Sequence, residues 1–109
     1  MLILTGKIVM IDKVDIVNQD NNDKFYKVKL VVKKQMNKVK RNVCFESYGK
    51  VANEILSFRK DDRVRVSFTI DSKLNNNRWY HTLKVVEIEK EVKTRKTIDE
   101  NQINLIDRL

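Results

Sequence analysis

Ser47-Tyr48-Gly49-Lys50-Val51-Ala52-Asn53-Glu54-Ile55-Leu56-Ser57-Phe58 breaks the period of the sequence around it. Tyr48, Val51, Ala52, Ile55 and Leu56 recur at the spacing of one helix face, whereas the flanking segments alternate residue by residue. Ser47 or Gly49 is available near the helix start. The spacing predicts a short helix between strands, so the number of strands on each side decides the fold.

Upstream, Leu2 to Val17 is rich in β-branched residues and predicts a long strand, with Gly6 interrupting it as a bend or bulge would. The polar run Asn18 to Asp23 predicts a loop. From Lys24 to Lys34, Tyr26, Val28, Leu30 and Val32 fall on one face, and Phe25, Lys27, Lys29, Val31 and Lys33 on the other. A turn around Gln35-Met36-Asn37 leads to a third strand, Lys38 to Phe45, with Val39, Arg41, Val43 and Phe45 on one side and Lys40, Asn42 and Cys44 on the other. Downstream, Arg59 to Asp62 is a turn, and Val64, Val66, Phe68 and Ile70 alternate as a fourth strand. Asn75-Asn76-Asn77 is a hairpin loop, and Arg78 to Glu89 is a fifth strand.

The order β-β-β-α-β-β is that of a mainly all-β, five-stranded OB-fold barrel, whose second and third strands and adjoining loops bind oligonucleotides or oligosaccharides. The expected division is a domain over 1–89 and a tail over 90–109. In the tail, Thr97-Ile98-Asp99-Glu100 has capping-box spacing and Ile103, Ile106 and Leu109 follow at three-residue intervals, which predicts a short amphipathic helix.

The charge supports a polyanionic partner. The 109 residues carry 23 basic and 15 acidic side chains, a net +8. Lys24 to Arg41 contains eight of the basic residues and no acid, so the remainder of the chain is neutral. A solvated lysine face is the bland alternative, and the fold position argues against it, because the block falls on strands two and three. With one cysteine, Cys44, and one histidine, His81, the chain lacks the ligands of a structural zinc site and has no intramolecular disulfide. No apolar run approaches the roughly 20 residues that cross a bilayer. A reducing, cytoplasmic setting is expected.

Phe25 shares the basic face of strand two. Trp79 and Tyr80, being adjacent on a strand, face opposite ways; parity with Leu83 and Val85 assigns Trp79 to the core and leaves Tyr80 for a ligand. Phe45 and Phe68 are expected in the core, Cys44 and His81 as partly packed strand residues, and Asp61-Asp62 as turn chemistry. With only two glycines, Gly6 and Gly49, no glycine-rich phosphate loop can form. Nothing in these patterns indicates an enzyme, a cofactor or a metal.

Asn42-Val43-Cys44-Phe45-Glu46-Ser47-Tyr48-Gly49-Lys50-Val51-Ala52, continuing through Leu56, Arg59-Lys60 and Val64 to Ile70, resembles bacterial and phage single-stranded DNA-binding proteins. Their third strand ends in an aromatic-Gly-Lys step into the helix. Arg78-Trp79-Tyr80-His81-Thr82 is similar to their fifth strand. The resemblance covers Leu2 to Glu89 and is nearest to a small, poorly characterised bacterial OB-fold family with an aromatic-Gly step and an Arg-Trp-Tyr motif. It implies that Tyr48 stacks on DNA bases. Asn42 stands where the single-strand binders often carry a tryptophan, and the acidic tip that ends their chains is not matched by Asn104 to Leu109.

Sequence-tolerant binding of single-stranded DNA in replication, recombination or repair is therefore expected, in a bacterium or a phage-infected cell. Lys27, Lys29, Lys33, Lys40, Arg41, Lys73 and Arg78 would contact phosphate, while Phe25, Tyr48 and Tyr80 would stack. An RNA-binding OB module and a protein-interaction module are the alternatives. The resemblance further implies a homo-oligomer, a dimer or tetramer.

Overall fold

The computed structural model describes residues 1–17 and 24–91. The expected loop at 18–23 and the expected helix of the tail, from residue 92 on, lie outside the described residues. Five strands and one helix follow in the expected order: β1 (Leu2–Val17), β2 (Lys24–Met36), β3 (Val39–Tyr48), α1 (Gly49–Ile55), β4 (Arg63–Asn75) and β5 (Arg78–Lys90). The strands form a closed barrel in the order β1-β2-β3-β5-β4, an OB-fold.

Alternation fills the barrel. Ile8, Val28, Leu30, Val32, Phe45, Val64 and Val66 are completely buried, and Phe68, Val85 and Ile88 nearly so. The Phe45 and Phe68 rings meet edge to face with centroids 5.0 Å apart, a geometry that adds about 0.5–1.5 kcal/mol to their area burial. Ala52 and Ile55 of α1 complete this core. A helix of seven residues has little stability of its own, so these two buried side chains hold it.

Gly6 is not itself the bulge. The irregularity in β1 falls between Ile8 and Met10, where Val9 is the extra residue. Gly6 meets a different demand: a Cβ there would overlap the Lys33 carbonyl oxygen and stand 2.7 Å from Val32 Cγ1. Beside it β1 changes partner, since Leu2 to Lys7 pair with β4 and Lys7 to Val17 pair with β2.

Other expectations also need correction. Ser47 belongs to β3, and its buried hydroxyl donates to the Val28 carbonyl over 2.9 Å instead of capping α1. The helix is shorter than Ser47 to Phe58, and its first residue, Gly49, has φ +64°, a backbone that glycine adopts at little cost. The β2–β3 turn is at Asn37-Lys38. At the β4–β5 turn both Asn76 (φ 53°) and Asn77 (φ 64°) are left-handed, as a two-residue type I′ connection requires.

Trp79 is not core. It is 64% exposed, paired with the similarly open Leu74, because β4 and β5 run past the barrel as a two-stranded ribbon on whose inward-parity face none of the described residues packs. Ile70 is exposed for the same reason. Cys44 is exposed on β3, and His81 is exposed on the ribbon with its Nδ1 2.8 Å from Ser72 Oγ.

Candidate nucleic-acid interface

Register carries the candidate residues to one face. Residues opposite each other across antiparallel strands share a sheet face, and neighbours along a strand do not. Opposite the buried Val28, Leu30 and Val32, the outward side of β2 presents Phe25, Lys27, Lys29 and Lys33; β3 adds Tyr48 opposite Lys27, Glu46 opposite Lys29 and Lys40 opposite Gln35. On the ribbon, Lys73 opposes Tyr80 and Asn75 opposes Arg78, on the side away from Leu83 and Val85. Nine of the ten candidate residues thus share the outer face of the sheet. Arg41 is the exception: it opposes Lys34 and emerges on the other face from Lys40.

Two of the aromatic candidates are brought together at one end of the β2–β3 ribbon. Phe25, Tyr26, Tyr48, Gly49 and Asn53 line an open cleft of about 290 Å³. Phe25 is 47% and Tyr48 42% exposed, so both present ring surface to solvent. Tyr26 is partly packed, with Lys13 Nζ 4.6 Å from its ring centroid. Tyr80 is 51% exposed on the other ribbon, away from this cleft.

An acid that sequence reasoning passed over organises the centre of the face. Glu46 takes the Tyr48 hydroxyl on Oε1 at 3.1 Å and Lys27 Nζ on Oε2 at 3.4 Å. Partial burial, the hydrogen bond to Glu46 and the Glu46 charge together push the Tyr48 phenol above its ordinary value. Alternation from the buried Phe45 would have placed Glu46 outward beside Tyr48. Across the β3–β5 junction Glu46 is in register with Lys84, whose ammonium lies 3.5 Å from Asp71.

At the other end of β2, Lys33 and Lys40 line a second cleft with Lys7, Lys34 and Arg63. No local pattern announces the approach of Lys7 and Arg63, because it depends on which strands pair at long range. Among the described residues no group of three or more His, Cys, Asp or Glu could hold a metal ion, and no helix is long and apolar enough to cross a membrane.

A family described as a domain of unknown function, DUF3127, matches residues 3–89. The chain belongs to the DUF3127 family. Solved structures similar to this DUF3127 chain include the SSB domain of a Synechococcus sp. protein, at 20% identity and a TM-score of 0.58 over 81% of this chain and 91% of that one. Small single-stranded DNA-binding proteins from Mycoplasma pneumoniae (13% identity, TM-score 0.47, 84% of this chain and 96% of that one) and Streptomyces coelicolor (10%, 0.42, 84% and 94%) also match. At these identities the likeness is one of fold. No curated protein matches the chain in sequence.

Proposed function

We propose that this DUF3127 protein binds single-stranded DNA without strong sequence preference, along the outer face of β2 and β3, in replication, recombination or repair. The observation that carries the reading is the register that aligns Lys27, Lys29, Lys33 and Lys40 on the same face as the Phe25–Tyr48 cleft. A positive track for phosphates beside rings on which bases stack is what sequence-tolerant single-strand binding needs. The fold match to the Synechococcus SSB domain supports it. Lys73, Arg78 and Tyr80 extend the same face along the β4–β5 ribbon, and Arg41 contributes charge from the opposite side of the β2–β3 ribbon. The proposed binding domain is 1–89, followed by a tail over 90–109, with the protein assembled as a dimer or tetramer in the cytoplasm.

Fluorescence anisotropy with labelled oligo-dT, the matching RNA and a duplex tests this. The single strand is expected to bind in preference to the duplex, with log affinity falling against log salt at a slope of about −2 to −3.5 for three to five phosphates. Tyr48→Ala is expected to weaken binding about tenfold, since a stacked base is worth about 1–3 kcal/mol. Equal affinity for all three ligands, or a slope near zero, sinks the reading; preference for the RNA strand assigns the same face to RNA.

A further inference from the structure

Most charged rows on this barrel are balanced. Lys29 is in register with Glu46, Arg65 reaches Glu89 at 3.3 Å, and Lys84 reaches Asp71. One row is not. Where β1 changes partner, Arg63 of β4, Lys7 of β1 and Lys33 of β2 are directly opposite one another on three adjacent strands. Adjacent strands lie about 4.8 Å apart, and like charges so placed destabilise a sheet. Lys34 and Lys40 join the row to line a cleft of about 320 Å³, with Thr5, Gly6 and Gln35 as its remaining walls and no acid among its lining residues. Glu91 offsets only Arg63, over 2.8 Å.

Gly6 is what allows this crowding. Without a Cβ it lets the Lys33 backbone lie against β1, so the cations cannot be spread by parting the strands. An anion seated there would meet cationic side chains from three adjacent strands.

We propose that this cleft is a second phosphate-binding site, which grips the phosphodiester backbone of a single strand where it leaves the β2–β3 face and crosses β1. The proposal rests on the single-strand reading and extends it. Phe25 and Lys33 share the outer face of β2 and are separated by about 26 Å at roughly 3.3 Å per residue, so the two sites hold different nucleotides of one strand.

The two glycines of the chain make the test direct, because Gly49 lines the aromatic cleft and Gly6 the basic one. In an amide NMR titration with oligo-dT of about 16 nucleotides, both glycine signals are expected to move. In Lys7→Glu/Arg63→Gln only Gly49 is expected to move, and the salt slope becomes shallower by about 1.4, the share of two phosphates. Thermal unfolding of the variant is expected at or above the wild-type temperature, which separates lost binding from lost fold. Movement of Gly49 without Gly6 in the wild type, or a variant that keeps the wild-type slope, overturns the second site and leaves the first intact. If neither signal moves, both readings fall. A Gly6 shift with pyrophosphate and none with the oligonucleotide overturns the proposal in favour of a small-anion site.

Discussion

The Tyr48 hydroxyl donates to Glu46 from two positions along the same strand, 3.1 Å away. The bond holds the phenol on the outer face, beside the cleft that Tyr48 lines together with Phe25. It also sets a carboxylate among the cations that would meet phosphate, with its second oxygen occupied by Lys27.

Glu46→Gln is therefore expected to tighten single-strand binding, by about fivefold if the freed Lys27 and the lost repulsion are together worth roughly 1 kcal/mol. The same substitution should cost at most about 1 kcal/mol of stability, because the pair is partly exposed. Parallel anisotropy and urea titrations measure the two effects; weaker binding would mean that orienting Tyr48 matters more than the charge.

Alkaline titration followed by tyrosinate absorbance is expected to show Tyr48 ionising above the ordinary value of about 10. The shift comes first from partial burial and then from Glu46, so Glu46→Gln should lower it and Tyr48→Phe should abolish that step. A phenol whose folded value is raised holds its proton more tightly in the folded state. Its contribution to stability is complete below the unfolded value and lost as pH rises through the folded one. Binding should accordingly show no Tyr48-linked change between about pH 6 and pH 9.

Gly6→Ala is expected to destabilise by about 1–3 kcal/mol, since the new methyl meets the backbone of Lys33, which cannot give way as a flexible side chain would. Gly49→Ala meets open space and should cost only the positive-φ backbone, about 1 kcal/mol. Urea unfolding of the two variants side by side reads the difference, and equal losses would mean that the close approach at Gly6 is relaxed in solution.

Trp79 is the only tryptophan of the chain, so its fluorescence reports on the β4–β5 ribbon alone. At 64% exposure it is expected to emit at the long wavelength of indole in water and to be quenched by iodide at low protein concentration. A blue shift as concentration rises would signal that a second copy covers the ribbon.

The barrel was legible because its signals are local. Val28, Leu30 and Val32 alternate with lysines, Val64, Val66 and Phe68 alternate with polar residues, and the change of period at Tyr48 marks the helix. Parity failed at Trp79 for a reason that parity cannot contain: alternation tells which side a residue faces, not whether anything is packed there. Of the two residues available to start the helix, Ser47 does not cap it, because its partner, the Val28 carbonyl, lies on another strand. Of the interface, Phe25, Tyr48 and the lysines of β2 were visible from alternation and from the aromatic-glycine step. Lys7 and Arg63 were not, since only long-range pairing makes them neighbours of Lys33.

The junction of β3 with β5 has a consequence for how the molecule breathes. It rests on one registered pair, Glu46 with Lys84, while every other junction is an extended ladder. A strand laid over Tyr48 and Lys84 would lie across this thin seam and brace the already closed barrel where it has the fewest paired residues. The loaded protein would gain stability by mass action, with hydrogen exchange slowing first along the seam and only later in the core.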